Sequence, residues 1–332
     1  MRRWIAGVAI GIVCAQAAPA RAQGGGVLPH TPFLDGSDVF VNLPSHGMVF
    51  EGQLSPNLVI YQNLARGLEK LDPRTDGDWH SARALSFDPM VRLRMLHQVS
   101  DPVRTPSYMP KLTYQEFFYR ASGASSPSVD LFAVQATLGH HSNGQDGCTF
   151  LDQALVNGNC VPQVANRDAS TAPVNTLDGS FSTNYVTVGA RFRRTMLDAE
   201  NRARYDWTLG ADLEVNPTGF LGDGGLSAEL SPLYGPTRLS AIAGAATTFG
   251  RICKSRLEVL GTAKYIRGAP STIPLVATTA RAACIFSDSG GWGLLVRYYR
   301  GQDYYNLGFL ESISRFNVGL TYEQDGFLRF KN

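Results

Sequence analysis

The sequence predicts an all-β protein, an antiparallel transmembrane β-barrel of about 12 strands, on three observations. Short runs alternate between apolar and polar residues and are separated by Gly and Pro, which is the pattern of strands rather than helices. After the first 22 residues, no stretch is apolar and long enough for a membrane-spanning helix. The connections at one end of the predicted sheet are longer than those at the other, as in bacterial outer-membrane barrels.

The first 22 residues have the features of a secretory signal peptide. Arg2 and Arg3 precede an apolar run over 4–13, and Ala20-Arg21-Ala22 is a small-x-small cleavage pattern. Removal of this segment lowers the Lys and Arg count from 30 to 27, against 28 acidic residues. The mature chain is therefore close to neutral, which gives no indication of a nucleic-acid partner. Export together with the barrel pattern predicts the bacterial outer membrane as the location.

The strands follow from the alternation along the chain. We expect them over 47–53, 57–63, 85–98, 110–121, 129–142, 181–194, 204–215, 235–249, 253–266, 278–287, 291–300 and 312–323. The long connections (143–180, 216–234, 267–277 and 301–311) then share one end, and the short ones (122–128, 195–203, 250–252 and 288–290) share the other. The predicted organisation is a signal peptide over 1–22, an irregular periplasmic segment over 23–44, and a barrel over 45–332 with an extracellular inserted loop over 145–179.

Polar residues with catalytic chemistry end two neighbouring strands. On the strand 129–142, the face that carries Phe132, Val134, Ala136 and Leu138 continues into His140 and Ser142, because side chains alternate along a strand. The strand 181–194 places Asn184 on its apolar face at the same end. Antiparallel pairing therefore puts a base, a nucleophile and an amide on one patch of the outer surface. If the apolar face contacts lipid, so does this patch.

These residues resemble the outer-membrane phospholipases A of Gram-negative bacteria. The family's two blocks, His-x-Ser-Asn-Gly and Ser-x-Ser-x-Asn, match His140-His141-Ser142-Asn143-Gly144 and Ser180-Phe181-Ser182-Thr183-Asn184. Further similarity lies at Ser100-Asp101-Pro102-Val103-Arg104, at Tyr108-Met109-Pro110 and at Tyr299-Arg300-Gly301-Gln302-Asp303-Tyr304-Tyr305-Asn306, so it spans most of the mature chain. The resemblance implies a barrel enzyme with phospholipase A1/A2 activity on membrane glycerophospholipids, active as a homodimer with calcium.

The chemistry of such a site assigns a role to each residue. Ser142 attacks an ester carbonyl once His140 accepts its proton, and Asn184 holds the proton-bearing nitrogen of the imidazole. The backbone N–H of Gly144 is the natural donor to the oxyanion, since it lies just past the nucleophile. Asn is a suitable third member on a lipid-facing surface, where an unpaired carboxylate is costly.

The resemblance also implies a calcium site made of oxygen ligands. These map to the Ser180 hydroxyl, the Gln145 backbone carbonyl and Ser100 of the partner subunit, and hard cations prefer oxygen. The family joins its two blocks by a very short loop, whereas this chain inserts most of 147–179. Two outcomes are open: the insert folds outward and leaves the site intact, or it separates Gln145 from Ser180 and abolishes the metal site.

Four cysteines remain after the signal peptide. Cys148 and Cys160 lie in the inserted loop, where an exported protein is expected to join them. Cys253 and Cys284 begin and end a predicted hairpin on its outward face, so directly opposed positions predict a second disulfide. Four free thiols are the other interpretation, and the absence of a Cys-x-x-Cys motif argues against a metal.

Two other functions compete with the phospholipase interpretation. A lipid A deacylase also uses a His-x-Ser pair on a barrel exterior, but Asn184 and the length of the chain argue against it. A non-catalytic barrel, either a narrow channel or a structural protein, is favoured by the long insert and by the ending Phe330-Lys331-Asn332, which lacks a terminal aromatic residue. Inward-facing charged residues are expected to form a packed network rather than a transport path: Arg191, Arg193, Arg256, Glu258, Arg281 and Arg297.

Overall fold

The computed structural model describes residues 31–43, 48–74, 77–97, 103–122, 127–164, 172–249, 253–287 and 290–326. The predicted signal peptide and the last six residues lie outside these ranges. Within them the chain forms fifteen strands, two short α-helices, α1 (Leu64–Leu68) and α2 (Ser231–Tyr234), and two 3₁₀ helices, Gly222–Gly224 and Asn306–Leu310. The strands are β1 (Ser37–Leu43), β2 (Met48–Leu54), β3 (Leu58–Gln62), β4 (His80–Leu96), β5 (Val103–Ser122), β6 (Ser128–Ser142), β7 (Gln153–Val156), β8 (Asn159–Pro162), β9 (Ser182–Leu197), β10 (Ala203–Val215), β11 (Thr237–Phe249), β12 (Cys253–Arg267), β13 (Val276–Ile285), β14 (Gly291–Gln302) and β15 (Ser312–Glu323).

Thirteen of these strands form one antiparallel sheet that closes on itself. Neighbours in sequence pair around the sheet, β1 pairs with β15, and β2 pairs with β4 to complete the ring. β2 and β3 both lie against β4, one after the other, so they occupy a single position that is interrupted at 55–57. The ring therefore has twelve positions, which confirms the predicted antiparallel β-barrel of 12 strands.

The first strand is the main difference from the sequence prediction. β1 lies inside the stretch 23–44 that we expected to be irregular, and the barrel begins at Ser37 rather than at residue 45. Its alternation covers only seven residues, too few to stand out beside a Pro- and Gly-rich segment. It gains its stability from β15, with which it pairs over its whole length, from Ser37 opposite Tyr322 to Leu43 opposite Phe316.

The barrel is apolar outside and polar inside. Alternate residues of its strands are large, apolar and exposed, among them Val134, Leu209, Leu239, Val259, Leu294 and Leu320. The intervening residues point into the lumen and are mostly small, polar or charged. An outward apolar band over a polar interior is the arrangement of a barrel surrounded by lipid. None of the helices in the described part of the chain is long and apolar enough to span a membrane.

Ion pairs line the middle of the lumen, as expected from the inward-facing charges. Arg191 binds Asp212 at 2.5 Å, and Arg256 binds Glu258 at 2.9 Å. Arg281 contacts Glu258 from the next strand, also at 2.9 Å. Because Arg191, Arg256 and Arg281 each meet a carboxylate at hydrogen-bonding distance, these pairs stabilise the fold.

Residues close to both limits of the described part of the chain, Phe33 and Asp325, also lie inside the lumen. The backbone N–H of Phe33 donates to Asp325 at 3.3 Å, and the Arg193 guanidinium lies 4.7 Å from the Phe33 ring. Arg193 also donates to Asp325 Oδ1 at 2.9 Å. At the end of the barrel away from Ser142, α1 packs its apolar residues against the inner face of β4 to β6 in a buried cluster. This end of the barrel is thus obstructed by its own chain.

The barrel mouth at the Ser142 end of β6 is closed by loops, and the inserted segment contributes to this closure. A buried apolar cluster joins Phe150 and Ala172 of the insert to Phe181, to Leu226, Leu230, Leu233 and Tyr234 of the β10–β11 loop, and to Leu307 and Phe309 of the β14–β15 loop. The insert itself holds the hairpin of β7 and β8. The described residues of the insert therefore form part of a folded cap over the barrel.

The cysteine predictions have separate outcomes. Cys148 and Cys160 form the expected disulfide, with their Cα atoms 5.4 Å apart. Cys284 is also disulfide-bonded. The side chain of Cys253, its predicted partner, lies outside the described residues. The expectation that the two are directly opposed is wrong, because the register of β12 and β13 puts Cys284 opposite Leu257.

We expect Asp325→Asn to destabilise the barrel by about 3 kcal/mol at neutral pH, the usual cost of breaking a buried pair. Burial opposes ionisation of this carboxyl, but the Arg193 guanidinium holds its pKa below the ordinary value. The unfolded chain therefore binds this proton at a higher pH than the folded one. The stabilisation is complete above the unfolded pKa and is lost as the pH falls through the folded pKa.

Urea unfolding in lipid vesicles at neutral pH and at about pH 3 measures this loss. Glu200→Gln is the control, since Glu200 pairs with Arg202 in an exposed turn, where such pairs contribute little. An equal effect of both substitutions, or an Asp325→Asn effect that does not change with pH, would contradict the assignment.

Candidate active site

The pairing of β6 with β9 brings together the residues that the sequence singled out. His140 lies opposite Asn184, and Ser142 lies opposite Ser182. Burial alternates along β6 as predicted, with Val134 and Leu138 46% and 44% exposed on the outer face. His140 and Ser142 continue that face and are half-buried. A polar patch therefore ends an apolar stripe on the outside of the barrel.

His140 and Asn184 are directly hydrogen-bonded. The distance from His140 Nδ1 to Asn184 Oδ1 is 2.7 Å, which leaves Nε2 of the imidazole for another partner. Ser142 is the next residue along the same face, about 7 Å away along the strand. Among the described residues, no hydrogen bond joins His140 to the Ser142 hydroxyl. Such bonds are often long before substrate binds, so this geometry is compatible with a base and its nucleophile.

Asn184 is less exposed to lipid than we expected. Its position on β9 points it outward, yet only 8% of the residue is accessible. The β10–β11 loop covers it, and Asn184 Nδ2 donates to the Phe220 backbone carbonyl at 2.8 Å. Ser182 Oγ donates a hydrogen bond to the Gly224 carbonyl of the same loop, also at 2.8 Å. The alternation of β9 predicts the face correctly, but it contains no signal for a distant loop that folds over it.

Gly144, the predicted oxyanion donor, follows the strand in a turn that requires glycine. Its φ of 65° lies in the left-handed region, and a Cβ there would lie 3.3 Å from the Tyr108 ring. Tyr108 lies opposite Ser142 on β5. Within the described ranges, no group accepts a hydrogen bond from the Gly144 N–H. This donor is therefore available beside Ser142.

Asn143 is a residue of this site to which sequence reasoning gave no role. It is buried, and its amide nitrogen donates to the Gly179 carbonyl at 2.7 Å. Its Oδ1 accepts from the Phe181 N–H at 2.9 Å. Asn143 thereby joins the turn after Ser142 to the start of the second block. Asn143 lies one residue past Ser142 and therefore points to the inward face. That alternation could have identified it as a residue that supports the site from inside the barrel.

The insert leaves the two blocks next to each other. Gly147 pairs with Gly179, and the Ser180 N–H donates to the Gly147 carbonyl at 2.8 Å. The segment between them therefore starts and ends at one point, and Gly147, two residues past Gln145, contacts Ser180 directly. Thr149 of the insert donates to the Ser180 carbonyl at 2.8 Å.

The predicted metal ligands have mixed outcomes. Gln145 and Ser180 lie in the same turn region, whereas Ser100 lies outside the described residues. The Ser180 hydroxyl is 3.5 Å from the Thr149 hydroxyl, so oxygen atoms gather at this point. The described part of the chain has no group of three or more His, Cys, Asp or Glu side chains that could hold a metal. Any cation here would depend on hydroxyl and carbonyl oxygens.

The fold and its outer surface define a class of protein. This is an outer-membrane β-barrel whose lipid-facing surface carries a hydrogen-bonded His–Asn pair beside a serine.

Comparison with known proteins gives matches at the level of solved structures. No protein-family model and no curated protein matches the sequence. The chain is similar to outer membrane phospholipase A from Escherichia coli, with 12% identity over 88% of this chain and 94% of that one and a TM-score of 0.43. Two further solved structures each show 13% identity over 90% of this chain and 96% of theirs, with a TM-score of 0.43. They are an active-site mutant of the Escherichia coli protein at pH 6.1 and the Salmonella typhi outer membrane phospholipase dimer with bound calcium. At this identity the likeness concerns the fold.

We expect Asn143→Ala to destabilise the protein by about 2 kcal/mol, because it leaves the buried Phe181 N–H and Gly179 carbonyl without their partner. Asn159→Ala is the matched control, since the Asn159 amide contacts only an exposed carbonyl of its own hairpin. Urea unfolding of both variants measures the difference. Equal stability of the two would show that Asn143 does not hold the blocks together.

Proposed function

We propose that this protein is an outer-membrane phospholipase A that hydrolyses acyl esters of glycerophospholipids. The observation that carries the proposal is the 2.7 Å hydrogen bond between His140 and Asn184, with Ser142 next on the same outward face. Polar groups are costly beside hydrocarbon, so their presence at the end of an apolar stripe calls for a functional reason. The substrate available at this position on the outer surface of the barrel is an ester of a membrane lipid.

In the proposed reaction, Ser142 Oγ attacks the ester carbonyl while His140 Nε2 accepts its proton. The tetrahedral oxyanion receives a hydrogen bond from the Gly144 N–H. His140 then returns the proton to the leaving alcohol oxygen, which releases the lysophospholipid and leaves the acyl group on Ser142. Water attacks this acyl-enzyme with His140 again as the base, and the fatty acid is released. Asn184 holds the imidazole throughout and stabilises its charged form less than a carboxylate would.

The position of the site suits substrates that remain in the membrane. The exposed side chains of Val134, Leu138 and Val188 lie on the same outer surface as Ser142. An acyl chain alongside them stays in an apolar environment while its ester reaches the serine. The proposed enzyme therefore takes its substrate sideways from the lipid.

Calcium is part of the proposal. Ser180 and Gln145 would hold it together with Ser100 of the partner subunit, so that the active form is a homodimer. The set consists of hydroxyl and carbonyl oxygens, which suits a hard cation. The contact of Gly147 with Ser180 supports the proposal, since Gln145 lies two residues before Gly147. A bound calcium ion would polarise the ester carbonyl and stabilise its developing negative charge.

A channel is the less favoured alternative because side chains and loops obstruct both ends of the lumen. Apolar loop residues close the mouth at the Ser142 end, and α1 with residues 31–36 occupies the opposite end. The ion pairs of the middle section leave their charges neutralised. A lipid A deacylase is disfavoured because the third member of the site is an amide.

We expect Ser142→Ala to lower phospholipid hydrolysis by about 10³-fold or more, the usual cost of removing the nucleophile of a triad. The measurement is fatty-acid release from mixed micelles by the refolded protein. Ser314→Ala is the control, because Ser314 lies on an exposed outer position of β15 away from the site. Equal activity of Ser142→Ala and the unmodified protein would reject the proposed function.

The calcium assignment predicts that a chelator abolishes hydrolysis and that added Ca²⁺ restores it. Ser180→Ala is expected to raise the calcium concentration needed for half-maximal activity by about tenfold, since it removes one of few protein ligands. The comparison is a calcium titration of both proteins. Activity that depends on Ser142 but is unchanged by chelation would retain the hydrolase and discard the metal.

A further inference from the structure

The β10–β11 loop closes over the His140–Asn184 pair from outside the barrel. It presents two backbone carbonyls, of which that of Phe220 accepts from Asn184 Nδ2 and that of Gly224 accepts from Ser182 Oγ, each at 2.8 Å. Asn184 is 8% accessible as a result. This loop comes from a different pair of strands, and neither of the two signature blocks includes it.

The contact with Phe220 determines the orientation of the amide. A backbone carbonyl can only accept a hydrogen bond, so the amide group that faces it must be the NH₂. Oδ1 is thereby turned toward His140, and because Oδ1 also only accepts, His140 Nδ1 must carry the proton of the neutral ring. We infer that the Phe220 carbonyl fixes the tautomer of His140 and leaves Nε2 free to accept the proton of Ser142.

The same contact explains why position 184 holds an amide rather than a carboxylate. An ionised Asp there would place one carboxylate oxygen about 2.8 Å from the Phe220 carbonyl oxygen, and two acceptors without a proton between them repel. Asn satisfies both neighbours, since it donates to Phe220 and accepts from His140. The requirement comes from the covering loop rather than from exposure to lipid.

Gly224 allows the loop to approach this closely. A Cβ at residue 224 would lie 3.2 Å from Asn184 Nδ2 and 3.6 Å from His140 Cε1. The first distance is tighter than ordinary contact, so a side chain would push the amide away from its two partners. Phe220 and Gly224 are therefore positioning residues that act on His140 through Asn184.

The inference rests on the proposed function, but its first test does not require turnover. ¹⁵N spectra of histidine-labelled protein in detergent micelles distinguish the two neutral tautomers, and the His140→Gln variant identifies the signal. We expect His140 of the unmodified protein to be protonated at Nδ1. Gly224→Val is expected to give a mixture of tautomers. An Nε2-protonated ring in the unmodified protein, or no change in Gly224→Val, would overturn the inference whether or not the protein hydrolyses lipid.

The second test is a double-mutant cycle on kcat. Gly224→Ala should lower kcat by about tenfold, because small displacements of a catalytic group are costly. In an Asn184→Ala background the added methyl has no amide to displace, so Gly224→Ala should change kcat by less than about twofold. Gly261→Ala is the matched control, since a Cβ there has its nearest neighbour at 3.8 Å.

The outcomes separate the two proposals. A tenfold loss in both backgrounds would show that Gly224 acts independently of Asn184, and this inference would fail while the hydrolase stands. Hydrolysis that survives Ser142→Ala would reject the proposed function, and the tautomer spectra would then decide the inference alone.

Discussion

Closure of the sheet is the constraint on which the rest of this structure depends. Lipid offers no hydrogen-bonding partner to the backbone, so every strand must be paired on both sides. Two short elements complete the ring, because β1 pairs with β15 and β2 pairs with β4. Closure also fixes the register, and the register determines which side chains face out. The chemical character of the outer surface follows from this geometry.

The site combines three parts of the chain that are distant in sequence. β6 and β9 supply His140, Ser142 and Asn184 through one register, and the turn after Ser142 is tied to the second block by Asn143. The β10–β11 loop then covers Asn184. Each polar atom of the amide has a partner, as a nearly buried group requires. The hydrogen bonds that hold the site therefore include a turn and a loop outside the two strands that carry its residues.

The sequence allowed the barrel and the faces of its strands to be predicted, because a period of two is a strong local signal. It placed His140 and Ser142 on the outer face, and the structure agrees. It missed β1, whose stability comes from pairing with β15 at the far end of the chain. It also missed the contact between Phe220 and Asn184, since local patterns carry no information on where a loop folds back. The twelve predicted strands included two that share one position.

The insert between Gly147 and Gly179 begins and ends at adjacent points. The entropy of closing such a loop rises only slowly with its length, so the pairing of β6 with β9 tolerates a change in the length of this connection. The outer tip of the β6–β9 pair is thus a natural grafting point for foreign peptides. A segment displayed there would leave the register of the two strands unchanged.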